Sequence, residues 1–144
     1  MDLPFRRIDP DAHLPAAHHP GDAGLDLRAN ADVEVMPGER AMIPTGVAVA
    51  IPDGHAGFVL PRSGLASKLG LTLANSPGLI DAGYRGELIV AAVNLDRTEA
   101  VKIAKGDRIA QLVIVSLPSI EPGWVEALPD SDRGAGGFGS TGNE

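Results

Sequence analysis

The chain contains no cysteine. Disulfides, thiolate-ligated zinc and a cysteine nucleophile are therefore excluded. Aromatic residues are scarce, at 3% of 144 residues. Val, Ile, Leu and Ala must then fill the core, and an aromatic side chain outside it becomes a candidate for a specific task. Positive charge is also in short supply: 12 Lys and Arg stand against 19 Asp and Glu, a formal net charge of −7. Proteins that hold nucleic acid non-specifically draw that affinity from a basic face that neutralises phosphates. This chain cannot offer a broad one, so no nucleic-acid partner is expected. A few placed arginines, backbone N–H groups and a metal ion can still hold a small phosphorylated ligand. No apolar run is long enough to cross a bilayer, and residues 1–12 lack the apolar stretch of a signal peptide. The expectation is a cytoplasmic protein with no membrane partner.

What is present points to one globular β domain. Apolar residues make up 44% of the chain, which suits a packed core and not a disordered segment. The 18 Gly and 12 Pro are scattered along the whole length, so they punctuate it and do not form a single linker. Between them lie short runs rich in β-branched residues, at 33–35, 40–44, 47–51, 57–60, 87–94, 100–103 and 108–115. Pro37-Gly38 and Pro52-Asp53-Gly54 are turn signals, because proline presets φ and glycine tolerates positive φ. Strands at this spacing predict an all-β sandwich or barrel. A single short helix is expected over residues 63–69, with no αβ alternation that would support a doubly wound fold. The division expected is a domain over 1–132 and a flexible arm over 133–144, where residues 133–142 hold five glycines.

Some motifs fail their context. Gly134-Ala135-Gly136-Gly137-Phe138-Gly139 matches G-x-G-x-x-G, yet the dinucleotide fingerprint needs a helix after it and the sequence stops five residues later. His13, His18 and His19 gather near Asp11 without metal-site spacing and read as a solvated loop.

Other segments carry chemistry. Asn75-Ser76-Pro77-Gly78-Leu79-Ile80-Asp81-Ala82-Gly83-Tyr84-Arg85-Gly86-Glu87 reads as a β-hairpin. As pure structure, its Asp81 and Tyr84 are turn residues. As a site, a narrow hairpin offers inward backbone donors and acceptors that can imitate a pairing partner for a base. Asp26, a carboxylate at the strand start Ala23-Gly24-Leu25-Asp26-Leu27, reads from the residues alone as an edge or cap residue. Ser63, in Pro61-Arg62-Ser63-Gly64, is a candidate N-cap, and the same geometry aims N–H groups at an anion. Gln111, in Gly106-Asp107-Arg108-Ile109-Ala110-Gln111-Leu112, needs a partner if buried. Arg133 and Phe138 in the Gly-rich tail suit phosphate pairing and base stacking better than a frayed end.

These five segments, in order and spacing, closely resemble the five motifs of the trimeric dUTP diphosphatases, over about residues 21–142. The resemblance implies a distorted jelly-roll fold, Mg2+ as cofactor, dUTP as substrate, and a homotrimer with sites at its subunit interfaces. It implies that Asp81 contacts the 3′-hydroxyl and orients the attacking water as general base. Asn75 and Tyr84 would hold the base and the deoxyribose. Arg62, Ser63, Gly64, Gln111, Arg133, Phe138, Gly139 and Ser140 would hold the nucleotide and its phosphates, with Asp26 near the metal through water. Deaminases of the same fold place a glutamate in the third motif, where this sequence has Asp81. A non-enzymatic nucleotide sensor on the scaffold would be expected to lack Asp81, Asp26 or the tail, and all three are present.

Overall fold

The computed structural model describes residues 1–137. The strands are β1 (Phe5–Arg7), β2 (Leu25–Arg28), β3 (Val33–Val35), β4 (Arg40–Val49), β5 (His55–Pro61), β6 (Leu71–Leu73), β7 (Gly78–Ile80), β8 (Glu87–Asn94), β9 (Val101–Ile103) and β10 (Arg108–Ser116). The one helix among the described residues is α1 (Ser63–Leu69). Two four-stranded antiparallel sheets, ordered β1-β4-β8-β6 and β2-β10-β5-β7, are joined by a β3-β9 ribbon. This mostly-β arrangement is in keeping with the jelly-roll type. It is a sandwich and not a closed barrel, since each sheet ends on two strands with a single partner.

The period-2 pattern decides the layers. Along β8, Leu88, Val90, Ala92 and Asn94 are buried and Ile89 is exposed. Leu27, Ile43, Val49, Val59 and Leu112 meet them in the core, which contains no fully buried aromatic side chain. The shortage of aromatics is thus met by aliphatic packing, as the composition requires.

Two expected strands, 40–44 and 47–51, are one continuous β4. The apparent break is an irregularity between Pro44 and Ala48 in the pairing with β8. Gly46 sits there at φ 72°, and a Cβ on it would lie 2.7 Å from that of Ala12. Its carbonyl accepts from the N–H groups of Ile8 and Asp9, and its own N–H donates to the Glu87 carboxylate at 2.8 Å. A bulge lets the strand bend without ending. Strands β1 and β6, three residues each, are not among the runs read from the sequence.

The third segment does not fold as the expected hairpin ladder. β7 pairs with β5, while β8 pairs with β4 and β6, so residues 81–86 cross from one sheet to the other. The start of β8 is captured by β4 through the Ala48↔Glu87 pair and the Glu87 bond to Gly46. The helix is where it was expected, but its N-cap is Arg62, in extended conformation with no side-chain cap bond. Ser63 is the first helical residue. After β10 the chain leaves the sheets, and residues 117–131 hold no strand or helix. No helix among the described residues is long and apolar enough to cross a membrane.

Candidate active site

Strand alternation turns Leu27 and Leu112 into the core, and so turns Asp26 and Gln111 outward. The β2–β10 register sets these two residues opposite each other. Arg62, just past the end of β5, and Arg108, at the start of β10, complete the cluster. Asp26 accepts from Arg62 Nε at 3.2 Å on one oxygen and from an Arg108 guanidinium nitrogen at 3.1 Å on the other. Arg62 also donates to the Arg108 carbonyl at 3.2 Å. Gln111 Nε2 donates to the Pro61 carbonyl at 3.1 Å. The Asp26 side chain is 15% exposed and the two arginines 28% and 29%. They border a cavity of about 290 Å³, whose other walls include His18, Asp22 and Gly24. Gly24 is required by close approach: Gln111 crosses the place its side chain would fill, and a Cβ would collide with Oε1.

This arrangement suits an anion. The carboxylate fixes two guanidinium planes, which keep N–H donors for phosphate oxygens. Each carboxylate oxygen also retains a lone pair.

A second cavity, of about 190 Å³, is lined by Leu79, Ile80, Asp81, Tyr84, Glu87 and Ile89. Tyr84 is held at both ends, its N–H donating to the Asp81 carbonyl at 3.0 Å and its hydroxyl to the Glu87 carbonyl at 2.9 Å. Asp81 is exposed. Asn75 is not part of that lining. It stands in the turn before β7, against Gly78, where a Cβ would lie 3.2 Å from its Nδ2.

The two cavities share no lining residue. β2 and β7 are opposite edges of one four-stranded sheet, three strand spacings apart, which is about 14 Å. Asp26 aligns through Gln111 with Leu60, whereas Ile80 aligns with Gly57, a further offset of about 10 Å along the strands. Within one chain, Asp26, Arg62 and Gln111 are brought together, and so are Asp81 and Tyr84. The two groups are not.

Ser63 and Gly64 are exposed at the start of α1. Arg133 bonds within its own turn, Nε donating to the Gly136 carbonyl at 2.8 Å. Phe138, Gly139 and Ser140 lie outside the described residues. Sequence reasoning did not single out Arg108. Arg108 and Gln111, three apart, belong on opposite faces of a regular strand. A register shift between Arg108 and Ala110 puts both on this cavity. Nor did it assign a role to Asp22 or Gly24, and it read His18 as part of a solvated loop.

Comparison with known proteins now decides the family. The dUTPase family model matches residues 10–142. The chain belongs to the dUTPase family. It is 56% identical over 142 residues to the deoxyuridine 5'-triphosphate nucleotidohydrolase of Streptomyces avermitilis, covering 99% of this chain and 81% of that one. It is 54% identical over 141 residues to that of Mycolicibacterium gilvum, covering 94% and 92%. Among solved structures, a Staphylococcus bacteriophage 80alpha dUTPase mutant with dUpNHpp superposes with a TM-score of 0.92 at 34% identity, over 99% of both chains. A dUTPase mutant from phage phi11 of S. aureus, described with a structural Mg(II) ion, superposes at 0.82 and 32% identity, over 88% of this chain and 98% of that one. As a dUTPase, the chain is an enzyme, a hydrolase of phosphoanhydride bonds.

Proposed function

We propose that this dUTPase hydrolyses dUTP to dUMP and pyrophosphate, as a homotrimer whose sites are each assembled from several subunits. The observation that carries the reading is the cavity in which Asp26 holds Arg62 and Arg108 beside Gln111. It is a prepared seat for a phosphate chain. The reaction keeps uracil out of DNA and supplies dUMP for thymidylate synthesis.

The donor set fits magnesium in an outer-sphere role. Among the described residues, no three His, Cys, Asp or Glu side chains cluster as a metal cage. Magnesium retains several waters and is commonly held by one or two carboxylates plus substrate phosphates. Asp26 already accepts from two guanidinium groups, so it suits receiving metal-bound waters better than direct ligation. When bound, the ion supplies charge neutralisation and a fixed triphosphate geometry.

Asp81 orients a water molecule and takes its proton. The water oxygen bonds to the α-phosphorus as the bond to the bridging oxygen breaks, and the electron pair leaves with pyrophosphate. Arg62, Ser63, Gly64, Gln111 and Arg133 meet the charge that gathers on the leaving oxygens. Asn75 reads the base, and Tyr84 packs on the deoxyribose so that a 2′-hydroxyl has no room. Phe138, Gly139 and Ser140 close over the bound nucleotide and exclude bulk water.

The separation between the two cavities supports the trimer. A general base and the metal-side carboxylate must both sit within a few ångströms of one phosphate chain. In one chain Asp26 and Asp81 are several times that far apart, so Asp81 of one subunit serves the Asp26 cavity of another. The rival deaminase chemistry is disfavoured by Asp81 in place of a glutamate.

Turnover of dUTP in ¹⁸O-water tests this directly. The label should enter dUMP and not pyrophosphate, and kcat/KM for dTTP, dCTP and UTP should be lower by roughly 10⁴-fold. Label in pyrophosphate, ammonia released from dCTP, or equal turnover of dTTP would overturn the reading.

A further inference from the structure

The loop before β2 is absorbed by none of the roles above, yet it forms part of the phosphate-side wall. It is tied down at both ends. The Asp26 N–H donates to the Ala16 carbonyl at 2.9 Å, an isolated antiparallel bridge that fixes the base of the loop to the strand bearing the Asp26 carboxylate. Farther along, the His19 N–H donates to the Asp22 carboxylate at 2.8 Å, and the Asp22 N–H returns to the His19 carbonyl at 3.1 Å. His18 lies between these ties. Its ring meets the ring of His19 edge to face, with centroids 4.4 Å apart at 64°.

His18 lines the 290 Å³ cavity with Arg62, Arg108 and Gln111. It also lines an adjoining cavity of about 220 Å³ on the other side, with His13 and Arg28, and Asp26 borders both. Among the described residues the ring nitrogens of His18 make no hydrogen bond. A neutral or charged imidazole always carries at least one N–H. The wall of the phosphate cavity therefore holds, besides its two guanidinium groups, an exposed imidazole donor with no protein acceptor among the described residues.

We infer that His18 is a further substrate-binding residue, which donates a ring N–H to the outer phosphates of the nucleotide. The inference rests on the triphosphate reading of this cavity and deepens it. The outer phosphates are the appropriate partner because His18 lines the same cavity as Arg62 and Gln111, the residues that meet the charge gathering on the leaving pyrophosphate. A donor that meets the β- and γ-phosphates and not the nucleoside monophosphate strengthens binding of dUTP and of pyrophosphate and leaves dUMP alone.

The test compares His18→Ala and His18→Gln with the unaltered trimer. The alanine variant should raise KM for dUTP and the inhibition constant of inorganic pyrophosphate by about tenfold, the loss of one hydrogen bond to a charged acceptor. The inhibition constant of dUMP should stay within about twofold and kcat within about threefold. The glutamine variant retains a donor and should recover most of the loss. Unchanged dUTP and pyrophosphate constants in the alanine variant would overturn the inference. An equal weakening of dUMP would overturn it too, since that marks a collapsed loop, and so would failure of glutamine to restore binding. If the unaltered enzyme did not convert dUTP at all, the parent reading would fail instead. Calorimetric binding of pyrophosphate with and without His18 would still decide the role of the imidazole.

Discussion

At the scale of single residues, two substitutions separate chemistry from scaffolding. Asp81→Asn keeps shape and hydrogen-bonding capacity but removes basicity. If Asp81 takes the proton from water, kcat should fall by at least about 100-fold while nucleotide affinity holds. Single-turnover kinetics with a parallel binding measurement check this, and a wild-type rate would remove Asp81 from the role. Gly24→Ala acts at a distance from the reacting atoms. The new methyl collides with Gln111 Oε1, which must swing away and release its bond to the Pro61 carbonyl. KM for dUTP should rise severalfold, with a stability loss of about 1–3 kcal/mol from overpacking. Gly24→Ala combined with Gln111→Ala should recover part of the stability but not the KM, since the shorter side chain removes the Oε1 collision and the contact together and leaves only the Cβ of residue 111, at 3.1 Å. Calorimetric unfolding and steady-state kinetics read the two quantities separately.

At the scale of elements, one buried polar side chain organises the junction of β3, β8 and β9. Asn94, fully buried at the end of β8, donates to the Val35 carbonyl at 2.9 Å and the Glu99 carbonyl at 2.8 Å. Its own carbonyl accepts from the Asp96 N–H at 2.9 Å. Asn94→Leu removes the side-chain partner of these three backbone groups, a buried one at Val35 and two part-buried ones at Glu99 and Asp96, and leaves an apolar side chain in a polar junction. The loss should be about 3–5 kcal/mol, read as a drop in the unfolding midpoint at unchanged m-value. The neighbouring Asp96 continues the turn, accepting from the Glu99 and Thr98 N–H groups. The Glu99 bond, with that from Thr98, holds its carboxyl below the ordinary value. The stability that Asp96 contributes is therefore present above its unfolded value and is lost as pH falls through its lower folded value.

At the scale of the molecule, the decisive feature is what one chain leaves unfinished. Residues 117–131 run outside the sheets carrying Leu117, Ile120, Trp124, Val125 and Leu128 as exposed side chains. Trp124 is 104% exposed, so it touches almost nothing in its own chain. Apolar area of this kind is expected to be covered by association. On the trimeric reading, an Asp81→Asn chain and a chain truncated before Arg133 should each be nearly inactive. Refolded together in equal amounts, they should form mixed trimers in which about a quarter of the sites join a good base to a good tail. Activity should rise well above either parent. Trp124 emission should resist iodide quenching in those trimers, as it should in the unaltered protein. Mixed trimers, seen by size analysis, with activity at parental level would rule out shared sites.

The sequence by itself determined the aliphatic core, the all-β class and the helix at Ser63–Leu69. These follow from local quantities: side-chain period, turn chemistry and composition. Its motifs also pointed to the dUTPase family. Only the tertiary structure decided that 40–49 is one bulged strand, that β7 and β8 belong to different sheets, and that Arg108 joins Asp26. A bulge changes which face a residue occupies without changing composition, so alternation cannot register it. The placement of His18 was equally hidden. A histidine in a polar loop reads as solvated until a bridge at Ala16 and a clasp at Asp22 fix that loop against the Asp26 cavity. The bridge at Ala16 joins backbone groups, which every residue carries, and the Asp22 carboxylate of the clasp is one acid among many in the chain, so neither tie marks the sequence distinctly.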